Sequence, residues 1–117
     1  MTDQAKGLCD KVANILLEKK AQDIAVVDIS ALTVIADAFV VCSGRTSIQV
    51  RALADELEEK LREAGIALLR REGLEAARWI VIDLGHVLVH VFHREEREFY
   101  NLERLWNNGD NITHYTD

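Results

Sequence analysis

The run from Trp79 to Phe92, WIVIDLGHVLVHVF, constrains the fold more than any other stretch of the chain. WIVIDL and VLVHVF carry branched or aromatic residues at almost every position, as strands do, and they flank Gly85-His86. A two-residue turn there pairs Leu84 with Val87, and the rest of the register follows by counting. One face then holds Ile80, Ile82, Leu84, Val87, Val89 and Val91, all aliphatic, which makes it a core face. The other sets Trp79 opposite Phe92, Val81 opposite His90 and Asp83 opposite Leu88. Two readings fit this mixed face. It is either a binding surface, which combines aromatics with polar groups in this way, or a second core layer with one half-buried histidine and a strand-end aspartate.

The chain has 117 residues, 49% of them hydrophobic, and neither a proline nor a repeat interrupts it. That is the size of one domain, residues 1–117, able to bury about two-thirds of its unfolded surface without a staple. Cys9 lies in a helical pattern and Cys42 at a strand end, with no metal or disulfide spacing, so both read as small buried hydrophobes of a reducing compartment. No run of about 18 apolar residues occurs, and the N-terminus MTDQAKGLCD lacks the parts of a signal peptide. The expected location is the cytoplasm. A net charge of −6 works against a general electrostatic grip on nucleic acid. It serves solubility, or it suits a basic protein partner.

Ala5, Leu8, Cys9, Val12, Ile15 and Leu16 form one stripe at helical spacing. IAVVDI (24–29) and AFVVCS (38–43) read as antiparallel neighbouring strands, joined by a turn-bearing connector that contains Leu32, Val34 and Ile35. Thr46-Ser47-Ile48-Gln49 fits a capping box, Val50, Leu53, Ala54, Leu57, Leu61 and Ala64 make the core stripe of the helix it opens, and Gly65 suits its end. Glu56 to Lys60 and Glu58 to Arg62 are candidate ion pairs, and the strip Asp55, Glu56, Glu58, Glu59 reads as a solvated face. IALLRR (66–71) is a weaker strand. From Arg94 onward, Phe99, Leu102 and Trp106 stand at helical spacing, and the tail NNGDNITHYTD is expected to fray. The order predicts an α/β domain, a mixed sheet of about five strands with helices mainly on one face.

Patterns that carry chemistry are weak. The junction Ser43-Gly44-Arg45-Thr46-Ser47 lacks the glycine spacing of a P-loop or dinucleotide fingerprint and reads as a capped helix start, not a phosphate site. His90 and His93 differ in strand parity, and His86 lies roughly 13 Å from His90 at about 3.3 Å per residue, so no metal is bridged and no cofactor motif appears. Asp83 and His90 are diagonal across the hairpin, within reach of a hydrogen bond. With no nucleophile beside them, they read as a structural or partner-facing pair more than a catalytic one.

QDIAVVDIS (22–30), IADAFVVCSGRTSIQVRALADELEEKL (35–61) and the stretch from Trp79 to Trp106 closely resemble the ribosomal silencing factor, or Iojap-like, family. The resemblance covers nearly the whole chain. It implies a nucleotidyltransferase-like fold used without enzymatic activity. The implied role is binding the large ribosomal subunit through large-subunit ribosomal protein fourteen, which blocks joining of the small subunit and lowers translation when nutrients run short. It also implies a homodimer in some members. The family's ribosome-facing surface carries over to Trp79, Asp83, His90, Glu95, Glu96 and Tyr100, with Phe92 directly opposite Trp79. Two positions depart from the usual pattern. His86 stands where an acidic turn residue is common, which puts that turn's share of the contact in doubt, and Arg45 stands where a small hydroxyl residue is common. Two other classes compete. An active nucleotidyltransferase needs paired metal-binding carboxylates on a strand, whereas Asp28 and Asp83 stand alone, with Ser30 and Gly85 where second acids belong. A general adaptor for another basic protein stays open.

Overall fold

The computed structural model describes residues 1–73 and 75–116. In chain order the elements are α1 (Asp3–Glu18), β1 (Gln22–Asp28), β2 (Ala38–Gly44), α2 (Ser47–Glu63), β3 (Arg70–Glu72), β4 (Trp79–Asp83), β5 (Val87–His93), α3 (Arg94–Tyr100), α4 (Leu102–Trp106) and β6 (Ile112–Tyr115). The six strands form one mixed sheet in the order β3-β4-β5-β2-β1-β6, where β2 and β5 run parallel and every other pair is antiparallel. Strand β2 is buried along its whole length, which its unbroken apolar run requires of a strand covered on both faces.

The β4–β5 register is the one expected by counting: Trp79 opposite Phe92, Val81 opposite His90, Asp83 opposite Leu88. Its aliphatic face packs under α1 and α2 in a core that includes Val12, Leu16, Leu53, Leu57, Ile80, Ile82, Val89 and Val91. Helix α2 starts as its sequence indicates. Thr46 Oγ1 accepts from the Gln49 N–H at 3.0 Å, and Gln49 Oε1 accepts at 2.7 Å from Arg45, one residue before the cap itself. At its end the Ile66 N–H bonds the Leu61 carbonyl and the Gly65 N–H the Arg62 carbonyl, with Gly65 left-handed at φ 78°, a Schellman closure. Ala64, expected in the core stripe, is exposed at the cap.

That closure corrects the third strand. Residues 66–69 are committed to leaving the helix, so pairing begins only as the Leu69 N–H meets the Asp83 carbonyl, and β3 spans Arg70–Glu72. The acidic strip on α2 is likewise more than a solvated face, since Asp55 and Glu58 both hold Arg71 of β3. Glu59, not Glu58, pairs with Arg62.

The C-terminal region differs most from expectation. The final helix is broken in two at Asn101, which sits in the left-handed region at φ 47°, a conformation asparagine tolerates. Leu102 and Trp106 therefore pack on the second sheet face, while Phe99 turns outward, 80% exposed. The tail is a sixth strand. Ile112–Tyr115 pairs with β1, and the Asn111 amide donates to the carbonyls of Asp28 and Trp106 at 2.8 Å each, covering what is otherwise an open edge.

Candidate partner-binding face

The second sheet face is partly a core layer. Val27, Ile29, Ala36, Phe39, Val41 and Phe92 are buried together, with Trp79, Leu88, Leu102, Trp106 and Ile112 packed against them. The second-core-layer reading therefore holds for this part of the mixed face. Phe92, expected to touch a partner, is fully buried and lies beneath the surface as a platform. His90 is also buried.

Trp79 is the half-buried centre. Its ring stacks on Phe92 at 4.8 Å and 27°, meets Tyr100 of α3 at 4.8 Å, and donates its indole N–H to His90 Nδ1 at 3.0 Å. Acceptance at Nδ1 leaves the imidazole proton on Nε2, which is buried without a hydrogen-bond partner among the described residues, and the ring meets Phe39 edge-on at 4.8 Å. Burial pushes the His90 imidazole from 6.5 down to about 4, so it is neutral at physiological pH. The expected Asp83–His90 pairing is not made. Asp83 Oδ1 accepts from the Gly85 N–H at 2.8 Å and its other oxygen faces Arg70 at 3.4 Å, so the aspartate closes the turn while the histidine orients the tryptophan.

Helix α3 is fixed to the hairpin chiefly by Arg78, which sequence patterns did not single out. Arg78 grips Glu96 through Nε and Nη2 at 2.6 Å each and reaches Glu95 at 3.4 Å. The hydrogen bonds from Arg78 hold the Glu96 carboxyl below its ordinary range. His93 Nδ1 accepts from the Glu95 N–H at 3.2 Å, capping the helix. Gly73 completes the frame at φ 85°, where a side chain's Cβ would fall 2.0 Å from the Trp79 carbonyl oxygen. Its signal was a glycine in a polar stretch, which by itself says nothing of what approaches it. The result presents Tyr100, 45% exposed, beside Trp79, with Phe99 and Leu105 also exposed on the two short helices.

The remaining candidates have separate engagements. His86 is exposed beside Asp37 at 3.5 Å, and among the described residues no group of three His, Cys, Asp or Glu is arranged to hold a metal. Burial raises both cysteine thiols to about 12, which keeps them protonated and unreactive. Near the end of β2 an open cleft of about 820 Å³ is walled by Ser43, Arg94, Arg97, Glu103 and His114. Arg97 is spent on structure there, donating to Ser43 Oγ at 2.9 Å and pairing with Glu103 at 3.3 Å. Arg45 has a comparable role, its Nε lying 2.7 Å from the Gln22 amide oxygen in that amide's satisfied orientation.

Comparison with known proteins accords with this architecture. Residues 2–117 match the family model described as ribosomal silencing factor during starvation. A ribosomal silencing factor of Halalkalibacterium halodurans is 43% identical over 105 residues, covering 90% of each chain. A crystal structure of a Chromobacterium violaceum protein superposes with a TM-score of 0.81 at 36% identity, over 91% of this chain and 87% of that one. A mouse protein named for mitochondrial assembly of the ribosomal large subunit is 29% identical over 87% of this chain and 46% of its own length. A match across nearly the whole sequence, with the same fold at that level of identity, means that the chain belongs to the ribosomal silencing factor family.

Proposed function

We propose that this chain represses translation in the cytoplasm under nutrient limitation by binding the large ribosomal subunit through ribosomal protein fourteen, so that the small subunit cannot join. It acts by occupying a surface, without chemistry. The observation that carries the reading is the preorganised aromatic pair Trp79 and Tyr100, braced from below by Phe92 and His90, with Glu95 and Glu96 held beside it by Arg78. Large, rigid aromatics inside a polar rim are the usual energetic centre of an interface. The net charge of −6 suits a basic ribosomal protein, and the mouse relative's name ties that protein to the large subunit.

The test is co-sedimentation with purified subunits, paired with a subunit-joining assay. The parent should pellet with large subunits and not small ones, and should inhibit joining. Tyr100→Ala, at an exposed position, should keep its cooperative melt and lose about 2 kcal/mol or more of binding, roughly thirtyfold in affinity. Trp79→Ala should lose more. A folded Tyr100→Ala and a folded Trp79→Ala that both bind at parental affinity would remove the face from the reading.

A further inference from the structure

The connector between β1 and β2 carries a feature that neither the fold nor the aromatic face accounts for. Leu32, Val34 and Ile35 are all exposed, Val34 entirely so. A single exposed aliphatic is ordinary, whereas three within four positions make a patch. The loop is also firmly held. The Leu32 and Thr33 N–H groups bond the Ile29 carbonyl at 2.9 and 3.1 Å, the Ile29 N–H bonds the Asp37 carbonyl at 3.0 Å, and the Asp37 N–H bonds the His86 carbonyl at 2.7 Å. Its two ends, Ile29 and Ala36, are buried in the cluster that contains Phe92 and supports Trp79 and Leu88. The aliphatic tips thus stand on a frame continuous with the aromatic face, and docking them orders little that is not already ordered.

Charge selects the occupant. From Ala21 to Gly44 the chain has Asp23, Asp28 and Asp37 and no lysine or arginine. Anionic lipid and nucleic-acid backbones are held by basic residues, and a second copy of a chain of net charge −6 brings like charge. A basic protein surface with an apolar depression is complementary on both counts. We propose that the Leu32–Ile35 loop is a second docking element, seating its aliphatic side chains in an apolar patch on the same basic protein that the Trp79 face engages. This rests on the reading that the Trp79 face binds the large subunit.

The experiment compares the parent, Tyr100→Ala and the triple variant Leu32→Ser, Val34→Ser, Ile35→Ser. Each is pelleted with purified large subunits across a salt series, melted, sedimented alone, and floated with phosphatidylglycerol vesicles. The triple variant should melt with the parent and bind large subunits roughly tenfold or more weaker. Val34→Ser alone, at a fully exposed position, should show a smaller loss in the same direction and carries the test if the triple variant melts early. Parental affinity in the loop variants alongside a weakened Tyr100→Ala would overturn the docking loop and leave the aromatic face standing. A parent that does not pellet with large subunits overturns both. Self-association or vesicle binding that disappears in the loop variants assigns the patch to a second copy or to lipid, and overturns the proposal.

Discussion

At the scale of single residues, the aromatic face depends on two positions besides the aromatics themselves, Gly73 and His90. Gly73 occupies a backbone conformation that side chains disfavour, with the Trp79 carbonyl where a Cβ would be. Gly73→Ala must displace that carbonyl or leave the left-handed region, so it should cost on the order of 3 kcal/mol, read as a lower urea midpoint. His90 acts through protonation. The unfolded imidazole takes up its proton near 6.5 and the folded one near 4, so the unfolded chain binds more protons between those values. The stability contributed by neutral His90 is therefore whole above about pH 6.5 and declines as pH falls toward about 4, by on the order of 3 kcal/mol. His90→Asn offers the indole an acceptor near the Nδ1 position and has no proton to gain. Its unfolding midpoint should change less than the parent's between pH 7 and pH 4.5; equal slopes would show that acid sensitivity arises elsewhere.

At the scale of elements, the C-terminal third is assembled from short pieces joined by side chains. Helices α3 and α4 have seven and five residues, too short to persist alone. They are held by Arg78, by His93 and by the packing of Leu102 and Trp106. Strand β6 depends on Asn111, whose amide satisfies two backbone carbonyls. Asn111→Ala leaves both without that donor and should cost about 1–3 kcal/mol, visible as a lower melting temperature with faster hydrogen exchange in β6. A melt identical to the parent's would mean that the tail is held by strand pairing alone.

At the scale of the whole molecule, an acidic chain presents its aromatic face beside Glu95 and Glu96, which share Arg78. Glu95→Gln with Glu96→Gln turns that local group from net negative to net positive. Association with large subunits should slow by roughly tenfold at low salt and approach the parental rate as salt screens both, with dissociation little changed. A changed dissociation rate at an unchanged association rate would place these acids inside the contact. The alternation in WIVIDL and VLVHVF was enough by itself to determine the hairpin, its register and its aliphatic face, because a period of two leaves one way to bury them. Helix α2 and its cap were legible for a similarly local reason, a hydroxyl three residues before the donor it satisfies. Tertiary structure alone decided that Phe92 and His90 lie beneath the surface, that the last helix gives way at Asn101 so that Leu102 and Trp106 reach the sheet, and that the polar tail becomes a strand, whereas the turn of Asp83 to Gly85 is a contact two residues long. The three tertiary outcomes depend on what a distant segment lays over the residue, and contacts across tens of positions leave no period in the sequence to read.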